Sequence, residues 1–330
     1  MIGHGGGGKL SAELVDHLFI PTLSTDPTAE MRDSALVRAG GLRLAFSTDS
    51  YVVRPLLFPG GCIGDLAVNG TVNDIAMSGA QPLTLSSAFI LAEGLEMSVL
   101  GEIVDQMGKA ACRAGGQIVT GATKVVEAGL ANGVSINTSG CGLNSDGVDI
   151  RPTRATRRDV VLVSGAIGAH GIAVMSKREN LEFEIEIESD SAPLNGLVVT
   201  MLAVRPDIHV LRDPTRGGMA ASLCEIASTA GVGIEIDKAR IPVPDDVRSA
   251  CAFLGLDPLS VANEGKLIAI VASEHADAVL AAMRSHEFGR EAAVSGTVVE
   301  DHRQIVVVRT SFGARRVVDL PLGEQLPRIC

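Results

Sequence analysis

A polar, basic stretch near the middle of the chain most limits what it can fold into. Residues 151–159 read Arg-Pro-Thr-Arg-Ala-Thr-Arg-Arg-Asp and separate two halves that each contain predicted strands and helices. Domain boundaries fall in exposed polar linkers of this kind. The sequence therefore predicts two α/β domains, 42–150 and 151–320, with a Gly-rich arm and helix before them (1–41) and a tail after them (321–330).

The hydrophobic residues decide how these domains are packed. They make up 46% of the chain, whereas aromatic residues make up only 3%, with no Trp and a single tyrosine, Tyr51. Ala, Val, Leu and Ile must therefore fill the cores, and a platform for stacking nucleic-acid bases is not expected. The net charge of −11 also argues against a nucleic-acid partner, because a polyanion binds a basic surface.

The cysteines and the first residues of the chain bear on metal content and compartment. Six cysteines are scattered without a Cys-x-x-Cys pair or a His cluster, which argues against structural zinc. The N-terminal residues lack the apolar core of a signal peptide, and no uninterrupted apolar run is long enough to span a bilayer. We therefore expect a cytoplasmic protein with reduced thiols and no membrane partner.

The first half alternates between strand and helix patterns. A short helix is predicted over 11–19 and ends at Pro21, and a polar connector then runs to about Gly41. The apolar run 42–50 predicts a strand that delivers Asp49 at its C-terminal end. Within 61–82 a helix is predicted, with Asp65, Asn69 and Asn73 forming a polar stripe along one side. Further strands are predicted over 82–91, 118–126 and 133–142, and a helix over 97–113.

The second half repeats this alternation. Residues 183–187 alternate apolar and acidic side chains, which predicts an exposed edge strand protected by its charge. The other predicted elements are strands at 160–164, 233–236, 266–271 and near Val294 and Ile305, and helices at 170–177, 219–230, after Pro244 and at 274–285.

Two stretches are candidates for binding phosphate. The Gly-rich start ending in Lys9 superficially fits a phosphate loop, but Leu10 replaces the required Ser or Thr and no strand precedes it, so we reject that motif. Lys9 on a flexible arm remains a candidate to close over a triphosphate, and a disordered leader is the alternative. The turn with Thr215, Arg216 and Gly217 opens a predicted helix and is either a phosphate site or an ordinary capped turn.

Two carboxylates and a terminal thiol complete the candidate residues. Asp74 lies at a helix C-terminus, where the helix dipole disfavours a negative charge unless a cation compensates it; a solvated Asp is the alternative. Glu264 precedes an apolar strand and is either a turn residue or a group facing a cleft. Cys330 ends the chain after Pro327, which predicts a swinging thiol on a mobile tail, although chain ends are often frayed without a function.

Several motifs resemble those of the HypE family of [NiFe]-hydrogenase maturation factors, and the match runs essentially end to end. The resemblance rests on Ser-Thr-Asp-Ser at 47–50, Asn-Asp with Gly-Ala-Gln-Pro at 73–82, residues 121–125, Asp-Pro-Thr-Arg-Gly-Gly at 213–218, Asn-Glu-Gly-Lys at 263–266 and the terminal Pro-Arg-Ile-Cys. The internal motifs recur in aminoimidazole ribonucleotide synthetase and selenide, water dikinase, whereas the terminal motif is more specific. The resemblance implies an α/β (α+β type), two-domain, aminoimidazole ribonucleotide synthetase-like (PurM-like) fold with mixed sheets and N-terminal domains paired in a homodimer.

The resemblance also implies a reaction. HypF would load a carbamoyl group onto the Cys330 sulfur, ATP would phosphorylate the carbamoyl oxygen, and loss of phosphate would leave a thiocyanate whose cyanide passes to iron on the HypC–HypD complex. Phosphorylation turns a poor leaving group into a good one, and a base must remove the nitrogen protons. By family analogy Glu264 and Lys124 are the candidates near the arriving tail, while Asp49 and Asp74 would hold Mg²⁺ against the ATP phosphates.

One residue departs from the family pattern. The family usually reads Gly-Asp-Thr-Lys where this chain reads Gly121-Ala122-Thr123-Lys124, so a methyl group stands at an expected magnesium ligand. Three readings remain open: the ATP-dependent dehydratase acting through Cys330, another ATP-using enzyme of the superfamily acting on a free small molecule, and a carrier whose ATPase is impaired.

Overall fold

The computed structural model describes residues 2–5, 8–23, 32–181, 183–310 and 312–320. The first half contains four helices and seven strands within these ranges. In chain order they are α1 (Gly8–Leu14), α2 (Ile20–Leu23), β1 (Ala35–Ala39), β2 (Leu42–Tyr51), β3 (Leu57–Phe58), β4 (Gly61–Cys62), α3 (Ile63–Met77), β5 (Ala80–Ala92), α4 (Met97–Ala114), β6 (Gln117–Val126) and β7 (Val134–Asn144). A π-helical turn, Val15–Phe19, joins α1 to α2, and a 3₁₀ turn, Ile2–Gly5, precedes them.

The second half has five helices and seven strands in the described ranges. They are β8 (Val160–Val163), α5 (Ala169–Arg178), α6 (Asn195–Val204), β9 (Val210–Arg212), α7 (Gly218–Ala230), β10 (Gly233–Asp237), α8 (Asp245–Leu254), β11 (Ile268–Val271), α9 (Ala276–Ser285), β12 (Ala293–Val299), β13 (Val306–Arg309) and β14 (Arg315–Val318). Short 3₁₀ turns connect them at Pro152–Arg154, Lys238–Arg240, Pro258–Ser260, Ser273–His275 and Glu287–Gly289.

Each half is built on one mixed sheet. The first sheet has the order β1-β2-β7-β5-β6, and its β5 and β6 are parallel while its other neighbours are antiparallel. The second has the order β14-β13-β10-β12-β8-β11-β9, with a single parallel pair, β10 and β13. Helices cover these sheets because the apolar side chains of each strand face must be buried. The mixed sheets that we predicted are confirmed.

Helix α3 is the buried axis of the first half. Its N-terminus is capped by Cys62, whose Sγ accepts a hydrogen bond from Gly64 N at 3.2 Å, while Asp65 Oδ1 accepts from Cys62 N at 2.5 Å. It ends before Gly79, whose φ of 78° suits glycine. Of its fifteen residues only Asp65 and Asp74 are not fully buried. The predicted helix is therefore confirmed, and it is more deeply buried than a one-sided pattern indicated.

The polar stripe of α3 contacts the second half of the chain. Asn69 Nδ2 donates to Ser191 Oγ at 3.0 Å. Asn73 Nδ2 donates to the Ala192 carbonyl oxygen at 3.1 Å, and Asn73 Oδ1 accepts from Leu194 N at 2.8 Å. Because buried amides are stable only when hydrogen-bonded, these contacts hold α3 against the segment before α6.

Two predicted features are wrong. Residues 183–187 do not form a strand: Ile187 is buried beside Val247 and Cys251, whereas Ile185 is 64% exposed. Alternating side chains form a strand only where a neighbouring strand offers backbone partners, and this segment packs on α8 instead. The second wrong feature is the helix end at Pro21, because the helical segment continues to Leu23 with Pro21 in the first turn of α2, where its missing N–H costs little.

Six elements were not predicted, and two of them are the two-residue strands β3 and β4. Strand β1 lies in the expected polar connector, and β9 and β14 are only three and four residues long. Helix α6 was missed because it is apolar nearly all round, so its sequence lacks the one-sided period of a surface helix. Within the described residues, no helix combines the length and the apolar character that crossing a membrane requires.

Candidate active site

A cavity of about 680 Å³ lies between the two halves of the described chain. Its wall includes residues of α1, the end of β2, α3, the turn before α7 and the segment before β11. Leu320, the last described residue, also lines it. Sites between packed units commonly bind small molecules, since side chains of several elements converge there.

Three carboxylates meet at one end of the cavity. Ligand oxygens of Asp33, Asp74 and Asp213 all lie within 4.8 Å of one another. Asp33 precedes β1, Asp74 lies in the last turn of α3, and Asp213 follows β9, so three separate elements deliver them. Arg212 Nη1 lies 2.6 Å from Asp33 Oδ1, and Arg212 Nη2 lies 2.7 Å from Glu225 Oε2.

Burial and mutual repulsion dominate the electrostatics of this cluster. Burial, followed by the charges of Asp213 and Asp33, raises the pKa of Asp74 well above its ordinary value, although Ser47 Oγ donates to Asp74 Oδ2 at 2.6 Å and opposes the shift. Burial and then Asp33 raise the pKa of Asp213 to about 7. Burial also raises the pKa of Asp33, against the opposing charge of Arg212. Three clustered carboxylates are oxygen ligands of the kind that a hard divalent cation prefers. The positive charge of such a cation would offset their mutual repulsion and favour their ionised forms.

The pKa of Asp213 predicts how stability depends on pH without a divalent cation. Its folded pKa is raised from 3.8 to about 7, so the folded state binds more protons between these values, and the stabilisation is lost as pH rises through about 7. We expect Tm in chelator to rise as the pH is lowered from above 7 toward 5. Each unit by which the pKa of Asp213 is raised corresponds to about 1.4 kcal/mol in the free energy of unfolding. Mg²⁺ should remove this dependence, and Asp213→Asn should weaken it. A wild-type Tm in chelator that is constant or falls over this interval would contradict the prediction.

Five of the predicted site residues line the cavity. They are Asp49, Asp74, Thr215, Arg216 and Glu264. Asp49 contributes to the wall but lies outside the three-carboxylate cluster found among the described residues. Gly217 has a φ of 74° and caps α7, so it shapes the turn without lining the wall. Lys9 lies beside the wall residue Gly8 and forms an ion pair with Asp319 at 3.1 Å.

Glu264 is the most deeply buried of these groups. It is 3% exposed, and within the described part of the chain its Oε1 has no hydrogen-bond partner. Burial, then the charges of Asp213, Asp190 and Asp49, raise its pKa well above the ordinary value, whereas Arg216 lowers it. A buried carboxylate with a raised pKa and an unused oxygen is typical of a group that transfers protons.

Ala122 and Lys124 lie elsewhere, on the edge strand β6. Ala122 is in register with Ala88, Asn137 and Ser50 across the sheet, which are three strand spacings of about 4.8 Å each. Side chains alternate between the two faces of a strand, so Ala122 shares the outer face with Ser50, while Asp49 points to the α3 side. A carboxylate at 122 therefore cannot share a cation with Asp49 of the same chain.

Three cavity residues were missed at the sequence level. Asp33 lies in the stretch predicted to be a polar connector. Asp213 lies in a motif of which only Thr215, Arg216 and Gly217 were predicted to be site residues. Tyr51 is the sole tyrosine and lines the cavity at 2% exposure, and burial with nearby Asp49 raises its pKa well above 10.0. No sequence pattern indicated Asp33, because β1 was not predicted, whereas Asp213 opens the Asp-Pro-Thr-Arg-Gly-Gly motif and could have been recognised there. Cys330 lies outside the described residues.

Comparisons with known proteins agree on the family. The N-terminal domain of AIR synthase related protein matches residues 31–143, and its C-terminal domain matches residues 158–309. The carbamoyl dehydratase HypE of Cupriavidus necator is 53% identical over 330 residues, covering 100% of this chain and 94% of that protein.

Two solved structures are similar over most of the chain. A HypE–HypF complex gives a TM-score of 0.89 at 46% identity, covering 93% of this chain and 99% of that one. A hydrogenase maturation protein HypE in complex with ATP gives a TM-score of 0.85 at 43% identity, covering 100% and 99%. With the two domains, the full-length identity and the shared PurM-like fold in agreement, the chain belongs to the HypE family of carbamoyl dehydratases.

Proposed function

We propose that this protein dehydrates a carbamoyl group carried on the Cys330 sulfur to a thiocyanate, at the expense of ATP, and so supplies the cyanide ligand of the [NiFe]-hydrogenase iron. The observation that carries the proposal is Glu264, a buried carboxylate with an unused oxygen in the cavity that also holds the acidic cluster. The family membership supports the same reaction.

The tail is long enough for this role. Leu320 lines the cavity, and residues 321–330 follow it to Cys330. An extended chain spans up to about 3.6 Å per residue, so ten residues reach roughly 36 Å. That reach supports entry of a Cys330-bound carbamoyl group into the cavity from the wall at Leu320.

The cavity offers groups for both ATP and Mg²⁺. Asp74, Asp213 and Asp33 would hold the cation, with Asp49 on the adjoining wall. Thr215 and Arg216 precede the N-terminus of α7, where backbone N–H groups favour phosphate, and Lys9 on α1 adds a cation nearby. When bound, Mg²⁺ supplies positive charge against the transferring phosphoryl group.

The reaction needs a leaving group and a base. Transfer of the ATP γ-phosphoryl group to the carbamoyl oxygen, with release of ADP and loss of one N–H proton, gives an S-bound imidoyl phosphate. Cleavage of the C–O bond then releases phosphate, and loss of the second N–H proton forms the C≡N bond. Glu264 Oε1 accepts a proton from nitrogen. A cation among the aspartates opposes the negative charge that raises the pKa of Glu264, and so favours the carboxylate form that a base requires.

Intact mass spectrometry tests this function. The protein is incubated with HypF, a carbamoyl donor and ATP, and the expected mass gains a carbamoyl group and then loses one water. The loss of water should require ATP hydrolysis by this protein. Carbamoylated protein from which nucleotide has been removed should therefore retain the full carbamoyl mass until ATP is added again. A modified mass that never loses water would contradict the dehydratase, and phosphate release without any change in protein mass would favour a free small molecule as substrate.

Two partners follow from this function. We propose HypF as the source of the carbamoyl group, which the solved complex of a relative with HypF supports. We propose the HypC–HypD complex as the acceptor of cyanide, because a thiocyanate on a terminal thiol must be handed to an iron-bearing protein for the ligand to reach iron.

A homodimer is the third association that we propose. The outer face of the first sheet leaves apolar side chains exposed, among them Phe46 and Ile90, each at 46%, and the edge strand β6 adds Val119 and Val125. Exposed apolar area on a long edge strand favours pairing with another chain. Pairing through this face would give Lys124 and residue 122 a neighbour in a second copy. Light scattering that finds a monomer at all concentrations near the micromolar range would contradict the dimer.

Substituting Ala122→Asp tests whether residue 122 serves a second copy's cation. Because a hard cation gains an anionic oxygen ligand, we expect the Mg²⁺ concentration for half-maximal ATP hydrolysis to fall roughly tenfold. Thr120→Asp, two residues earlier on the same outer face of β6, is the matched control and should leave it unchanged. If Ala122→Asp matches the wild type at every Mg²⁺ level, residue 122 does not face the metal.

A further inference from the structure

Asp190 and Lys266 form a largely buried ion pair next to Glu264. Lys266 Nζ lies 3.1 Å from Asp190 Oδ2 without the geometry of a hydrogen bond, and the Lys266 and Asp190 side chains are 16% and 7% exposed. Lys266 also donates a hydrogen bond to the Gly265 carbonyl oxygen at 3.2 Å. Neither side chain lines the cavity. Removing two charges from water is costly, and apolar side chains of similar size often stabilise a core equally well, so packing alone does not account for this pair.

Asp190 holds Glu264 by its backbone. Asp190 Oδ1 accepts a hydrogen bond from Glu264 N at 3.2 Å. On the other side, Asn73 Nδ2 donates to the Glu264 carbonyl oxygen at 3.1 Å. The backbone of Glu264 is thus fixed at both ends by side chains, while its Oε1 is left without a partner among the described residues.

Gly265 brings the two segments into close approach. A Cβ added at Gly265 would overlap the backbone carbonyl oxygen of Asp190. Because that neighbour is backbone, it cannot rotate away as a side chain would. The chain at residue 190 therefore lies directly against the peptide that follows Glu264.

We propose that Asp190 and Lys266 are positioning residues for the proton transfer by Glu264: Asp190 fixes the Glu264 backbone, and Lys266 fixes Asp190. This inference rests on the proposed dehydration. Neither residue touches the substrate, and each acts through the next. A base is effective only when held close to the proton that it removes, and a displacement of about 1 Å can cost roughly 100-fold in rate.

The charge of Lys266 has a second effect in this arrangement. After burial and Asp213, the charge of Asp190 is the next cause that raises the pKa of Glu264, followed by Asp49, with Arg216 opposing them. Lys266 beside Asp190 compensates part of that negative charge. Asp190 can therefore accept the hydrogen bond from the backbone N–H of Glu264 while the positive charge of Lys266 reduces the repulsion between Asp190 and the ionised Glu264 side chain.

Three variants test the assignment, each loaded with carbamoyl by HypF and followed by the loss of water after ATP is added. Asp190→Ala removes the acceptor for Glu264 N. The double variant Asp190→Asn with Lys266→Met keeps a neutral acceptor and leaves no unpaired charge. Asp159→Ala is the matched control, because Asp159 is 3% exposed and accepts hydrogen bonds from Thr156 N and His209 Nδ1 at 2.8 Å each, away from the cavity.

We expect Asp190→Ala to lower the dehydration rate at saturating ATP about 100-fold, with the ATP concentration for half-maximal rate within about twofold of the wild type. The double variant should be at least about tenfold faster than Asp190→Ala, and Asp159→Ala should lose thermal stability but keep its rate. A wild-type rate in Asp190→Ala, no recovery in the double variant, or an equal loss in Asp159→Ala would each overturn the assignment. If Asp190→Ala does not fold, a double variant that falls more than about 100-fold in rate overturns it. Failure of the wild type itself to lose water would instead contradict the proposed function.

Discussion

Cys330→Ala is expected to abolish carbamoyl uptake and thiocyanate formation while ATP binding and Tm stay at wild-type values. In the proposed reaction the Cys330 sulfur carries the carbamoyl group, so removing this sulfur leaves the group without its acceptor. Intact mass spectrometry with HypF, carbamoyl donor and ATP measures the uptake, and the expected result is an unmodified mass at all times. Extending the chain by a few residues beyond Cys330 should impair the dehydration by obstructing entry to the cavity.

The other cysteines provide the control for this prediction. Burial raises the pKa of the Cys62 and Cys224 thiols to about 12 and that of Cys251 to about 11, so these thiols are poor nucleophiles. Cys112 is exposed, and Cys112→Ala should load and dehydrate like the wild type. A Cys330→Ala protein that still gains the carbamoyl mass would rule out the tail-thiol mechanism.

Glu264→Gln is expected to lower the dehydration rate by about 10³-fold, because the amide keeps the shape of the side chain but cannot accept the proton. Carbamoyl loading by HypF should be unaffected, so the carbamoylated protein should accumulate. The measurement is the mass of the protein over time after ATP is added.

The same substitution should not destabilise the fold. Burial opposes the charge on Glu264, so a neutral amide removes an unfavourable buried group, and Tm at neutral pH should be equal to or above the wild-type value. Glu102→Gln on the exposed side of α4 is the control and should change neither rate nor Tm. Dehydration at the wild-type rate in Glu264→Gln would exclude Glu264 as the base.

Much of the fold was predictable because strong local patterns agreed with the tertiary structure. Strand β2, helix α4 and helix α7 begin and end within one or two residues of their predicted bounds. The failures occurred where packing decided the outcome. Residues 183–187 have the period of a strand but pack on α8, and α6 is a helix whose apolar surroundings remove the one-sided period that identifies helices.

The site was predictable in its residue types but not in its grouping. Motifs marked Asp49, Asp74 and Glu264, and the structure brings all three to one cavity. Asp33 was not recognised, because its position depends on where the chain before β1 passes α3, which is a tertiary contact. The placement of Ala122 depends on strand register: a four-strand alignment puts it across the sheet from Ser50, and no single-strand pattern contains that information.

The neighbours Asn73 and Asp74 on α3 have a consequence for motion during turnover. Asp74 belongs to the acidic cluster, and Asn73 donates a hydrogen bond to the carbonyl oxygen of Glu264, so two adjacent residues of a buried helix connect the acidic end of the cavity to Glu264. Opening the two halves like a hinge would break the hydrogen bonds of Asn73 and separate the two ends. We therefore expect the two halves of the described chain to stay together as one rigid body through the catalytic cycle.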